Sequence, residues 1–399
     1  MKLLYVSDHR FHEIDGSYYS ETQFPAAYWQ RYLTGFDTMR VVGRRHDSTS
    51  GSAQGLILSS RAETDFALVP NHLTPGRFLT NRRQVIDGLD RAMDGIDAVI
   101  LKSPGSLGQH VARMAAHKNI PYAIEMVGCP FDALYNHGSA VHKVAAWFAY
   151  WSTRRQVRAA PAITYVTKAF LQGRYPSNAP VNVAASDVEI AAIDEAVLEA
   201  RLARIGTEPL KTVRLGLIGG LMTRAKGHSQ ALEVLARLEE MGVEAQLECV
   251  GAGDPRPHED LARELGVEDR VTFKGSLPGL PAISKWLDGV DIYIQPSLQE
   301  GLPRALVETL SRACPSVANR IGGMPELLPD RYIVPANGTA QMAGIIARAA
   351  ANPEELSEMA RTNFAKSLEY LPEVLNPIRT GFIAELAASA GTAKQKRVA

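Results

Sequence analysis

The sequence predicts an α/β protein of two doubly wound domains, each a parallel sheet covered by helices, facing each other across a cleft. Three observations carry this reading. Short β-type runs alternate with helix-patterned segments along the whole chain. The runs are apolar throughout and do not alternate with polar residues, as expected for strands buried on both faces. The series also starts twice, once at the N-terminus and again near residue 212 with the strand-then-glycine turn LGLIGGL.

The first series covers residues 1–186, with candidate strands KLLYVS (2–7), TMRVVG (38–43), DAVILK (97–102), PYAIEMV (121–127) and AITYVT (162–167). Residues 187–211 are a polar, Ala-rich connector, read as a linker with a surface helix. The second series covers 212–370, with VRLGLIG (213–219), EAQLECVG (244–251), RVTFKG (270–275), DIYIQPS (291–297) and PSVAN (315–319). Residues 371–399 read as a final helix with the basic tail AKQKRVA. Ligands of such sheets sit beyond the C-terminal ends of the strands, which puts the site between the domains.

Bulk properties narrow the function. The 399 residues suit two or three domains, and the balance of 43 basic against 43 acidic side chains argues against a general nucleic-acid binder. Cys129, Cys249 and Cys314 are far apart and in no metal-ligand spacing, which suggests a reducing compartment and no disulfide framework. The opening MKLLYVSDHRFHEIDG reads as a first strand, not a signal peptide, and no apolar run approaches the ~20 residues of a membrane span. The expected location is cytoplasmic, with peripheral contact at the inner face of the plasma membrane. No Asp-x-Asp pair is present to hold a diphosphate through a divalent ion, so no metal is expected there. Haem, flavin and pyridoxal signatures are also missing.

The most informative stretch is QEGLPRALVETLSRACPSVANRIGGMPELL (299–328). Pro303 suits the first position of a helix. Leu302, Ala305, Leu306, Thr309, Leu310 and Ala313 then fall on one face, and Pro315 ends it. Glu300 sits in the loop between a strand and that helix, and Glu308 lies two turns further on. A helix N-terminus attracts an anion such as phosphate. Carboxylates beside it can accept hydrogen bonds from sugar and ribose hydroxyls. Taken singly, the two glutamates read rather as a helix-dipole acid and a surface residue.

This stretch resembles the signature of the retaining glycosyltransferases of family GT4, which have the two-domain GT-B fold of facing Rossmann-like domains. The likeness runs from Glu300 through Glu308 and Pro315 to GGMPELL. It extends to VGAGDPRPHEDLARELGVEDRVTFKGSL (250–277) and GVDIYIQPSLQEG (289–301), and more loosely to PYAIEMVGCPFDAL and YVTKAFLQGRYP, which resemble bacterial members that build surface polysaccharides. The resemblance implies that Glu300 contacts hydroxyls of the donor sugar and that Glu308 binds the ribose. The amides of Gly301 and Leu302 then face the diphosphate. In GGLMTRAKGHSQAL the family's Lys corresponds to Lys226, following Gly219. Gly220 stands where the family has Arg, with Arg224 as the candidate substitute. Gly275, in FKGSL, is placed at the donor base. The final helix is implied to cross back onto the first domain.

In the first domain, Gly16 of DHRFHEIDGSYYS has two readings, a loop against the donor phosphates or a simple turn. Lys102 and Ser103 occupy the place where related enzymes carry a His near the sugar, and His110 further on reads as structural. Lys102, Glu125 and Asp132 are candidates to bind the acceptor, the two carboxylates also to deprotonate it, with loop or cap carboxylates as the alternative for these two. No acidic residue occurs between Asp132 and Asp187, while Lys143, Arg154, Arg155, Arg158, Lys168 and Arg174 lie there. Val144, Trp147, Phe148 and Trp151 recur at helical spacing. They suit either an anionic membrane or lipid-linked acceptor, or a core stripe with a solvated basic end.

The implied reaction moves a hexosyl group from a nucleoside-diphosphate sugar to an acceptor hydroxyl with retention, the acceptor being a lipid-linked or growing polysaccharide. Lys226 and Glu300 carry the chemistry, with Glu125 on the acceptor side and no cofactor. Three rivals stand: an inactive homologue serving as a binding subunit of an assembly complex, a sugar-nucleotide epimerase, and a pyridoxal-dependent phosphorylase.

Overall fold

The computed structural model describes every residue except 22, 48–52, 72–74, 137–138 and 399, so Ala399 of the basic tail lies outside the described residues. Among the described residues fifteen strands form two sheets. The first holds β1 (Lys2–Ile14), β2 (Ser17–Ser20), β3 (Thr38–Arg45), β4 (Ile57–Leu58), β5 (Thr64–Val69), β6 (Ala98–Ser103), β7 (Tyr122–Met126), β8 (Ala162–Tyr165) and β9 (Val181–Ala184). The second holds β10 (Val213–Ile218), β11 (Ala245–Val250), β12 (Val271–Phe273), β13 (Ile292–Gln295), β14 (Ser316–Asn319) and β15 (Ile333–Val334).

The second sheet is wholly parallel in the order β12-β11-β10-β13-β14-β15. In the first, a parallel path β5-β3-β1-β6-β7-β8-β9 is joined by β2 and β4, which run antiparallel at the far end of β1. Both orders reverse once, at β1/β6 and at β10/β13, and the crevice of a doubly wound sheet opens at such a reversal. The apolar runs are buried on both faces: Leu3, Leu4 and Tyr5 are 0% exposed and Val6 1%.

Several elements differ from the sequence expectation. β5 and β9 carry no long apolar run, because β5 is an edge strand whose Asp65 is exposed and paired with Arg40 and Lys2. β1 continues past KLLYVS through a register shift after Val6 and pairs with β2. The connector carries the expected surface helix, held to the second domain by one face. Its helix Glu195–Ile205 packs on the second domain, where buried Arg201 donates to the carbonyls of Arg312, Val290 and Leu287. Three carbonyls left by neighbouring turns are thereby satisfied.

The last helix, Pro372–Val398, lies against the first sheet, with Phe382, Ile383, Leu386, Ala387 and Ala390 buried in that sheet's core. Arg379 of this helix donates to the carbonyls of Ser186 and Val188.

Candidate functional site

The two loops at the reversal of the second sheet meet. After β10 the chain turns through Gly219, and a 3-10 turn at Arg224–Lys226 delivers Lys226. After β13 it runs Pro296 to Pro303 and delivers Glu300. Lys226 Nζ lies 2.8 Å from Glu300 Oε1. Three glycines permit the approach. A Cβ on Gly219 would come within 2.7 Å of the Lys226 stem, one on Gly227 within 2.1 Å of the Pro296 carbonyl oxygen, and one on Gly251 within 2.0 Å of that of Gly219. Gly227 has φ +77°, which favours glycine independently.

Glu300 is buried, and a polar ladder on one face of β13 and its extension holds it. Tyr293 Oη donates to Gln295 Oε1 at 2.6 Å, Gln295 Nε2 to Ser297 Oγ at 2.7 Å, and Ser297 Oγ to Glu300 Oε1 at 2.8 Å. These residues alternate at i, i+2 and i+4, the strand period. The donors that reach Glu300, namely Ser297 Oγ, Lys226 Nζ and, at 3.4 Å, Gln295 Nε2, all fall on Oε1. Among the described residues Oε2 has no donor.

The helix Arg304–Ser311 begins just after this loop, with Pro303 at its cap. Among the described residues, no group accepts from the amides of Gly301, Leu302, Arg304 or Ala305. Such a terminus offers donors and a positive end to an anion. Leu302 anchors it by its buried side chain. Gly322 and Gly323 back it so closely that a Cβ on Gly322 would stand 2.4 Å from the Glu300 carbonyl oxygen. Glu308, half-buried two turns along, has its carboxyl pushed up by burial, against the pull of Arg304.

Lys102, Phe24, Tyr28 and Arg31 of the first domain and Asp187 at the start of the connector line one pocket with Arg304 and Glu308 of the second. Lys102 Nζ sits 4.7 Å over the Phe24 ring. Burial would lower its ammonium pKa, but Tyr28, Asp187 and Glu125 outweigh this and raise it. Arg304, Arg31 and Asp187 were not read from the sequence. The available signal for Arg304 was its place four residues before Glu308 in the same signature.

The other expected residues divide. Glu125 accepts from Tyr32 Oη at 3.0 Å and from Tyr5 Oη at 3.3 Å, and burial raises its pKa while Lys102 and Arg31 lower it. It faces a pocket walled by the last helix at Arg379, Phe382 and Ile383, not the Glu308 pocket. Asp132 is paired with Arg174 at 3.1 Å, so it is no free base. Gly16 (φ +74°) and Asp15 (φ 49°) form the two-residue turn of the β1–β2 hairpin, as the turn reading has it. Gly220 is exposed, and a Cβ there would meet only the Ala252 carbonyl oxygen at 3.6 Å. Arg224 is exposed on the same loop. Gly275 has φ +68° and open space beside it, and its carbonyl accepts from Gly251 N at 2.9 Å. His110 lies within the helix Ser106–His117.

The domains touch around the cleft. Asn136 Nδ2 donates to the Leu298 carbonyl at 2.7 Å, and the Glu326 carboxylate accepts from the amides of Lys168, Ala169 and Phe170 at 2.6–3.1 Å. Beside Asn136 runs the helix Ala140–Ala159. The core-stripe reading of this helix fails, for Val144 is 74% exposed, Trp147 55%, Phe148 76% and Trp151 60%. Among the described residues no helix is long and apolar enough to cross a membrane.

Known proteins resemble this chain in three ways. The model of the family described as glycosyl transferases group 1 matches residues 212–352, the domain that holds Lys226, Glu300 and Glu308. Protein CapJ of Staphylococcus aureus is 30% identical over 349 residues, 87% of this chain and 86% of that protein. The putative colanic acid biosynthesis glycosyltransferase WcaL of Escherichia coli (strain K12) is 30% identical over 132 residues, 31% of this chain and 32% of that protein. The structure of HepE from Anabaena in complex with UDP and glucose shares the fold, with a TM-score of 0.62 at 14% identity over 98% of this chain and 99% of that one.

Proposed function

The chain belongs to the group 1 glycosyltransferases, hexosyltransferases with the GT-B fold, and from that premise we propose that it transfers a sugar, with retention, from a nucleoside-diphosphate sugar to a glycan or lipid-linked glycan acceptor in polysaccharide synthesis. The observation that carries this is the Lys226–Glu300 pair set at a helix N-terminus with unclaimed amides. The terminus and Lys226 take the diphosphate, Oε2 of Glu300 takes sugar hydroxyls, and Glu308 takes the ribose.

In the step proposed, the bond from the anomeric carbon to the phosphate oxygen breaks and its electron pair leaves with the nucleoside diphosphate. The acceptor oxygen bonds to the same face of that carbon, and its proton passes to the departing phosphate. Charge on the leaving group is what must be stabilised, and a preorganised ammonium and amides do this without reorganisation. A glycosyl-enzyme intermediate on Glu300 is the less favoured route, because an ion-paired carboxylate is a poorer nucleophile. The colanic acid name of WcaL and the UDP and glucose in HepE support a sugar-polymer product and a nucleotide-sugar donor.

One observation favours a second reading, a binding subunit without turnover: the motif arginine is replaced by Gly220. A thermal-shift screen against UDP, GDP, ADP and dTDP sugars, followed by a transfer assay with NMR of the anomeric product, tests both. Stabilisation by one base and transfer with retention is expected. Stabilisation without transfer to any glycan primer would support the binding subunit, and inverted product would overturn retention.

A further inference from the structure

At the far end of β1, outside the cleft, three side chains from separate segments converge: His12 on β1, Glu21 just past β2, and His46 just past β3. The imidazoles of His12 and His46 stack with centroids 3.8 Å apart and planes 21° apart. Nε2 of His12 is 3.6 Å, and Nε2 of His46 3.3 Å, from the same oxygen, Glu21 Oε1. One ligand atom from each of the three lies within 4.8 Å of the other two. His12 is only 6% exposed, yet among the described residues neither of its ring nitrogens has a partner within hydrogen-bond distance, Glu21 Oε1 standing just beyond it.

We propose that His12, Glu21 and His46 bind a divalent transition-metal ion of the Zn2+ class. A buried polar group without a partner calls for an explanation, and an ion supplies one. Two ligands at the Zn–N or Zn–O distance on a tetrahedral ion are about 3.3 Å apart, close to the 3.6 and 3.3 Å that separate the two Nε2 atoms from Glu21 Oε1; the stacked rings would have to turn so that both nitrogen lone pairs converge on the ion. The donor set of two imidazoles and one carboxylate suits Zn2+ or Co2+, whereas Mg2+ and Ca2+ take oxygen ligands. Arg10, 3.8 Å from Glu21 Oε2, engages the other carboxylate oxygen and orients it. The fourth position is open to water.

The backbone supports the convergence. The register pairs Phe11 with Arg45, which sets His46 beside His12, and His46 N donates to the Phe11 carbonyl at 2.9 Å. His12 stands opposite Tyr19 in the hairpin, two residues before Glu21. An ion would therefore clip β1, the hairpin and β3 together. The chain that follows Glu21 carries Phe24, Tyr28 and Arg31, which line the cleft, so the clip stiffens that wall. The ion would not hold the donor diphosphate, since none of its three ligands lines the cleft.

The test is titration of the tag-free, metal-stripped full chain with Co2+, read by its visible ligand-field absorption and by metal content after gel filtration. One Co2+ per chain in a low-symmetry site, displaced by Zn2+, is expected. Glu21→Gln and His46→Ala touch the more exposed ligands and leave the fold intact by circular dichroism; each should weaken binding about tenfold or more. His12→Ala should do the same but is buried, so the other two variants decide. A spectrum no different from aqueous Co2+, or a site that survives in the Glu21→Gln/His46→Ala double variant, overturns the proposal.

Discussion

Lys226 Nζ and Glu300 Oε1 form a 2.8 Å ion pair between the two loops that end β10 and β13. The carboxylate is buried, while the ammonium is about one third exposed and open to the cleft. Lys226→Ala strips the partner from a buried charge and a cation from the leaving group. Glu300→Gln keeps the shape but removes the charge. We expect kcat to fall by about 10²–10³-fold in each, the usual loss for a preorganised charge contact. Thermal unfolding should separate them, with Lys226→Ala the less stable of the two. Turnover within tenfold of wild type in Glu300→Gln would remove Glu300 from the site.

The open space at Gly220 makes the motif arginine a testable addition. A side chain there meets only the Ala252 carbonyl oxygen at 3.6 Å, and φ is not in the left-handed region. If Arg224 already supplies the charge, Arg224→Ala should raise the donor KM, and Gly220→Arg should restore it in the double variant. The size expected is about tenfold, or ~1.4 kcal/mol. Steady-state kinetics that show no effect of Arg224→Ala would leave Lys226 as the main side-chain cation at the diphosphate.

Gly301 faces the first domain, and a Cβ on it would come within 2.2 Å of the Val127 carbonyl oxygen. Gly301→Ala should therefore push the domains apart without touching the polar ladder at Glu300. Donor affinity, set within the second domain, is expected to hold within a few-fold while kcat falls, because the acceptor wall cannot approach. Calorimetric binding of the nucleotide sugar beside the transfer rate checks this. Equal losses in both would mean that the substitution damages the donor site itself.

Most of this centre was legible as a pattern, and the reasons for the remainder are physical. Glu300 and Glu308 lie in one linear signature and Lys226 in a separate glycine-rich motif, and Lys226 meets Glu300 because their two loops end neighbouring strands at one sheet reversal. Gln295 and Ser297 read from the sequence only as part of the DIYIQPS strand, because burial of polar side chains is invisible until their partners are known. β5 and β9 were missed because an exposed edge strand and a short terminal strand need no apolar run. The aromatic stripe was ambiguous in principle: helical spacing identifies a face but not whether a partner covers it.

Burial raises the Glu308 carboxyl above the usual carboxylate range. The ionised form accepts on both oxygens with a full charge, whereas protonation turns one oxygen into a donor and weakens the other as an acceptor. A carboxyl with a raised pKa is protonated first as pH falls, so donor affinity should weaken on going from about pH 7 toward about pH 5. The nucleotide sugar, a diphosphate diester, is the right probe, since free UDP titrates in that window. In Glu308→Gln, affinity should be lower at neutral pH and flat across the range. A wild-type profile as flat as the variant's would deny Glu308 the ribose.

The helix Ala140–Ala159 presents Val144, Trp147, Phe148 and Trp151 to solvent, with Arg155 and Arg158 exposed toward its end. A folded protein rarely leaves such a run uncovered. Aromatic rings beside guanidinium groups match the boundary of an anionic bilayer, where each basic residue contributes about 1 kcal/mol at low salt. The helix packs Trp147 on Phe131, and Asn136 nearby reaches the Leu298 carbonyl, so a docked bilayer would stand beside the cleft entrance. Vesicle flotation should recover the protein with phosphatidylglycerol and not with phosphatidylcholine alone, and salt should weaken the binding. Replacing Trp147, Phe148 and Trp151 together by Ser should abolish flotation while leaving thermal unfolding within about 0.5 kcal/mol per site, because the side chains are exposed. A wild-type chain that ignores anionic vesicles at low salt would leave this face to a protein partner, and the acceptor would then have to reach the cleft from solution.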